Sequence, residues 1–147
     1  MKKRVLLIGL AAMTVLFMQA CKKENTVTVK FKATVGNEQW TSVINSPVKY
    51  KEKFVITGTS ATGKVMMLTV MGDTAGTYLY SPLSFIATYK DGAKEYIGVS
   101  GSLTLTSVNL SAKRISGHFY FTATTTSLET LEVKNGEFSD LQYIESN

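Results

Sequence analysis

Strict alternation of apolar and polar residues recurs down this chain, and it limits the possible folds more than any other feature. Val27, Val29, Phe31, Ala33 and Val35 alternate with Thr26, Thr28, Lys30, Lys32 and Thr34. Ile115, Phe119, Phe121 and Ala123 alternate with Ser116, His118, Tyr120, Thr122 and Thr124, and Leu103 and Leu105 lie between Ser102, Thr104 and Thr106. A period of two sends successive side chains to opposite faces, so each run reads as a half-buried strand. After residue 25 no long apolar stripe of helical period appears.

Turn chemistry falls between the runs at Gly36-Asn37, Thr62-Gly63, Lys90-Asp91-Gly92 and Asn135-Gly136. Such pairs supply the positive φ that tight hairpins require, and Gly58 to Gly63 reads as a hairpin loop rather than a phosphate cradle. The expected fold is all-β: one antiparallel β-sandwich or flattened β-barrel of about 9–11 short strands. Val65 to Met71 is apolar on both faces, which fits a central strand or one with a covered outer face. A domain of this size buries roughly two-thirds of its unfolded surface, so it needs no metal or disulfide. With one Cys and one His, neither an internal disulfide nor a multi-histidine metal site is available. No cofactor is expected.

The first 25 residues read as an address. Lys2, Lys3 and Arg4 precede an uncharged, mostly apolar run from Val5 to Met18, shorter than the ~20 residues of a bilayer-spanning helix. This is the build of an export signal. Met18-Gln19-Ala20-Cys21 follows, and a small residue directly before a Cys resembles the bacterial lipobox. The resemblance implies cleavage before Cys21, diacylglycerol on its thiol and a palmitate-like chain on its amine. More than one acyl chain anchors firmly, because each buried CH₂ contributes roughly 0.8 kcal/mol. The expected organisation is a signal peptide over 1–20, a lipidated Cys with a short tether over 21–25, and the all-β domain over 26–147.

Removal of Lys2, Lys3 and Arg4 takes three charges from the net +5, leaving +2. That is too little for a nucleic-acid footprint. Lys22 after the Cys, in place of Asp, is compatible with outer-membrane sorting. The expectation is therefore a monomer held to the membrane by its lipid in the cell envelope.

A wider resemblance rests on Phe31-Lys32-Ala33 with Gly36-Asn37 and Trp40, on Ile56-Thr57-Gly58, and on Gly76-Thr77-Tyr78. It continues through Ile115-Ser116-Gly117-His118-Phe119 with Phe121-Thr122-Ala123, and through Asn135-Gly136-Glu137-Phe138. In order and spacing these pieces resemble a group of small Bacteroidota lipoproteins of unassigned activity. The resemblance implies a lipid-anchored β domain and brings no active site. Members often carry Thr at the position of His118, which argues against a shared role for that His.

Catalytic patterns are not met. Gly98-Val99-Ser100-Gly101 lacks the spacing of a nucleophile elbow. Glu129, Glu132, Glu137, Asp140 and Glu145 read as solvated surface charge rather than a glycosidase pair. His118 falls on the polar face beside Tyr120, and an enzyme would need it next to a carboxylate in a cleft. Trp40 reads as a core aromatic. Tyr78, Tyr80, Tyr89 and Tyr96 crowd into two neighbouring hairpins, and Tyr120 adds an aromatic on a polar face. These five are the candidate binding surface, since aromatics with polar tips recur where protein or carbohydrate partners dock.

The leading expectation is a non-enzymatic, lipid-anchored binding or accessory module for an envelope protein or glycan. The alternative is a calycin-like closed barrel carrying a small apolar ligand, with a cavity lined by Phe54, Met66, Leu68, Phe85 and Phe119.

Overall fold

The computed structural model describes residues 29–147, so Cys21 and the residues before Val29 lie outside it. Among the described residues ten strands form: β1 (Phe31–Val35), β2 (Glu38–Tyr50), β3 (Lys53–Ser60), β4 (Val65–Val70) and β5 (Gly76–Leu79), then β6 (Phe85–Asp91), β7 (Lys94–Asn109), β8 (Arg114–Thr124), β9 (Thr130–Gln142) and β10 (Ile144–Ser146). Eight of them close into a barrel in the order β1-β2-β3-β4-β6-β7-β8-β9, with β9 returning to β1. Every neighbouring pair in that ring is antiparallel. Between the two sheet arrangements expected, the chain takes the closed one.

Closure is made at a seam between β1 and β9, the first and last strands of the ring. Phe31 faces Phe138 across β1–β9, and Lys32 faces Thr41 across β1–β2. Below β1 the chain leaves β9, crosses over, and runs as β10 parallel to β2 from Ile144↔Val48 to Ser146↔Tyr50. β10 thus takes the place beside β2 that β1 leaves open. In the same way β5 flanks the second half of β7, while β6 flanks its first half.

An eight-stranded barrel is just wide enough for side chains to fill, and here aromatics do so. Phe31 packs edge-on against Trp40 at 5.0 Å and Phe119 at 5.8 Å, and Phe119 lies near-parallel to Phe121 and Phe138 at 6.2 and 6.3 Å. Room for these rings comes from missing side chains in the wall. A Cβ on Gly136 would overlap the Phe119 ring, and one on Gly117 would stand 2.7 Å from the Phe138 ring. Gly136 faces Phe119 and Gly117 faces Phe138 across the β8–β9 ladder. Each ring therefore lies flat over a bare stretch of its neighbour's backbone, a pairing that also shields that backbone from water.

Several local expectations change. Asn135-Gly136 does not reverse the chain. β9 runs through it, with Asn135 at φ 51° and a register shift against both neighbours. The extra residue forms a bulge because β9 is paired on both sides and cannot turn back. Gly58 lies inside β3, not in the loop, which spans residues 61–64. β1 begins at Phe31, and Val29 is 39% exposed rather than inward. The outer face of β4 remains partly open at Met67, while Met66, Leu68 and Val70 fill the interior.

One interior group is unpaired. Tyr143 is 1% exposed, its ring is edge-on to Phe54 at 5.1 Å, and its hydroxyl has no hydrogen-bond partner among the described residues. Burial, then Glu145 and Asp73, push its pKa above the ordinary value. Tyr143→Phe removes an unsatisfied polar atom and is expected to stabilise the domain by about 1 kcal/mol in urea titration. The unfolded chain ionises its Tyr first, at about pH 10. Stability contributed by the neutral Tyr143 is therefore complete below that pH and is lost as pH rises through the folded pKa. The Phe variant is expected to lose less stability over that alkaline range.

Candidate functional site

The up-and-down order sorts the connections to two ends. The connections 36–37, 61–64, 92–93 and 125–129 form the upper end, and 51–52, 71–84 (which carries β5) and 110–113 form the lower end. β1 runs upward from Phe31, so the chain reaches the barrel from the lower side.

At the upper end the turns hold each other in place. Gly36 N–H donates to Glu132 O at 2.8 Å, tying the first hairpin to β9. In the β3–β4 turn, Ser60 N–H donates to Lys64 O at 2.9 Å, and Lys64 N–H donates to the Ser60 hydroxyl at 3.1 Å. The Trp40 indole N–H also donates to Lys64 O at 3.2 Å, fixing this turn to the aromatic interior. Lys94 and Glu129 pair at 3.1 Å between the remaining two connections.

Lys64 is the centre of the arrangement. Its ammonium lies 3.5 Å from Glu38 and 3.4 Å from Asp91, joining three hairpins that are distant in sequence. Tyr89 first, then Asp91 and Glu38, raise its pKa above the ordinary lysine value. Tyr89 is 3% exposed, and its ring is 6.2 Å from that of Tyr96. Burial raises the pKa of the Tyr89 hydroxyl, and the Lys64 cation opposes that rise. No hydrogen bond joins that hydroxyl to another described residue. Two clefts of about 290 and 300 Å³ open here and share Val35, Glu38, Lys64 and Tyr89 as walls. The site alternates a cation, two carboxylates and a free phenol above an aromatic floor. Among the described residues no group of three or more His, Cys, Asp and Glu could hold a metal.

A family profile described as a domain of unknown function (DUF6252) matches residues 27–142. The chain belongs to that family. The match spans every barrel strand of this DUF6252 domain, from β1 to the end of β9, and only β10 lies beyond it. No curated protein and no solved structure matches the chain.

The five tyrosines do not share one surface in the DUF6252 domain. Tyr89 and Tyr96 meet at the upper end. Tyr78 folds back over Gly72 and donates to Thr74 O at 2.7 Å, and Tyr80 donates to Gly98 O while its ring packs on Phe85. Those two fasten β5 and its flanks to the barrel. Tyr120 stands alone on the outer wall, 58% exposed. Chain proximity misled because β5 climbs beside β7, whereas the β6–β7 hairpin points upward. Trp40 is core, as expected.

His118 is outward on β8 and faces Glu137 in register, and both line a cleft of about 450 Å³. Glu137, however, pairs with Lys32 at 3.8 Å and accepts from the Ser139 hydroxyl at 3.2 Å. No hydrogen bond or ion pair joins His118 to a described residue. Lys64, Glu38 and Asp91 were missed by sequence reasoning. Their one signal is that each stands within two residues of a turn glycine, in hairpins that the ring order gathers at one end.

Proposed function

We propose that this DUF6252 domain is a non-enzymatic binding module of the cell envelope, held to the outer membrane through lipid on Cys21, and that its ligand is an envelope glycan. The observation carrying this reading is the Tyr89 hydroxyl, which has no hydrogen-bond partner among the described residues and stands where two clefts meet around Lys64. Sugar hydroxyls both donate and accept. The phenol, the ammonium and the two carboxylates offer both roles at close spacing, and clefts of this volume match one small group each. The chain reaches the barrel from the lower side, so a lipid there leaves the upper end facing away from the membrane.

Titration with soluble neutral oligosaccharides tests the ligand. Tyr89→Phe is expected to weaken binding about tenfold, the loss of one hydrogen bond, and Lys64→Ala to weaken it further. His118→Ala should leave it unchanged. If His118→Ala abolishes the cellular role while the other two are silent, the binding reading is wrong. Metabolic labelling with a palmitate analogue tests the anchor: Cys21→Ala should abolish labelling and block processing.

Closure of the barrel favours a second reading, carriage of a small apolar ligand. Phe54, Met66, Leu68, Phe85 and Phe119 do line the interior, at 0–2% exposure, with Phe119 packed on Phe31 and Phe121, Phe54 on Tyr143 and Phe85 on Tyr80. Such carriage requires those rings to part, and uptake of a lipophilic fluorophore would report it.

A further inference from the structure

The lower end differs from the upper in what its turns show to water. Leu83 is 88% exposed, Ile144 66%, Leu110 55% and Tyr50 41%. Both leucines stand on turns that close by themselves. Ser84 N–H donates to Ser81 O at 3.1 Å and Leu83 N–H to the Ser81 hydroxyl at 3.3 Å. Asn109 Oδ1 accepts from the Ser111 hydroxyl and from Ala112 N–H, each at 2.9 Å. The serine and asparagine therefore hold these turns through their own hydrogen bonds. Turn tips otherwise favour small polar residues, as at Gly36-Asn37 and Thr62-Gly63 of the upper end, where Leu128 is the exposed exception.

Unpaired lysines are concentrated on the same side. Of the four lysines with no carboxylate within salt-bridge distance among the described residues, Lys30, Lys51 and Lys53 lie on the lower side, with Glu52 between the last two, and only Lys90 lies at the upper end. Lys53 sits over the Tyr50 ring at 5.6 Å. An aromatic with a lysine beside it, next to exposed leucines, is the pattern of side chains that lie at a head-group boundary.

We propose that the lower end docks on an anionic bilayer surface, with Leu83 and Leu110 entering the head-group layer and Lys30, Lys51 and Lys53 resting on lipid phosphates. The inference builds on the reading of Cys21 as lipidated. Val29 lies eight residues beyond Cys21, a leash of at most ~28 Å, which keeps this end close to the membrane. At the high local concentration that a leash imposes, contacts too weak to recruit the protein still set its orientation. Docking turns the Lys64 clefts away from the bilayer and holds them there.

The test uses the lipidated protein in vesicles of phosphatidylethanolamine with phosphatidylglycerol. Its only native thiol is consumed by the lipid, so Leu83→Cys, Leu110→Cys and Leu128→Cys each accept one environment-sensitive fluorophore. The expected result is a blue shift and quenching by nitroxide lipids at 83 and 110, with emission at 128 unchanged. Lys51→Glu with Lys53→Glu should lower the docked-to-free ratio at least about fivefold. Vesicles that float with the protein while 83 and 110 remain as unquenched as 128 overturn the docking and leave the anchor standing. Failure to float removes both. A blue shift that grows with protein density and ignores the nitroxides means that a second copy covers this end, and it too overturns the proposal.

Discussion

Phe119→Ala and Phe121→Ala are each expected to lower the unfolding free energy by roughly 3–5 kcal/mol, the range for emptying a buried Phe site. Tyr120→Ala, between them, should cost less than about 1 kcal/mol. Phe119 is 2% exposed and Phe121 1%, against 58% for Tyr120. Phe119 touches Phe31, Phe121 and Phe138, so its loss opens a void in the middle of the ring cluster, where three strands meet. Strands hydrogen-bonded on both sides cannot collapse into that void, which places the loss toward the upper part of the range. Urea titration of the three variants is the measurement. Equal losses at all three positions would mean that β8 is covered on its outer face as well.

The second large effect comes from adding atoms. Gly136→Ala sets a methyl group into the space of the Phe119 ring, and the ring is enclosed by Phe31, Phe121 and Phe138. Overpacking of this kind costs about 2–3 kcal/mol. The decisive measurement is the double variant. With Phe119→Ala the new methyl occupies vacated space, so the combined loss should fall short of the sum by at least about 1 kcal/mol, as for residues in direct contact. Strict additivity would show that Gly136 serves the bulge in β9 rather than the ring.

The strands were legible in the sequence because each has one face in the barrel and one in water. β8 is the clearest case: Ile115, Phe119, Phe121 and Ala123 point in and His118 and Tyr120 point out, as the alternation predicts. The turns at Gly36-Asn37 and Asp91-Gly92 were legible for the same local reason. Asn135-Gly136 was not, since its chemistry suits a bulge as well as a hairpin, and the choice depends on whether β1 and β8 already hold β9 on both sides. Barrel against sandwich was equally hidden, because closure depends on β1 meeting β9, which no local pattern encodes. The Lys64 site was invisible for a related reason. Glu38, Lys64 and Asp91 come together only when the ring order sends three separate hairpins to the same end.

The seam between β1 and β9 also sets a clock on folding. Lys30 and Asp140, which meet there, are 110 residues apart in the chain. Contacts of that separation form late and slowly. A nascent chain that has not yet produced β9 has no partner for one side of β1 or for the far side of β8, and both edges then offer unpaired backbone to any other strand nearby. The ring is therefore a test of completeness: only a full-length chain can satisfy its own edges, and any chain stopped before β9 is left sticky along two of them.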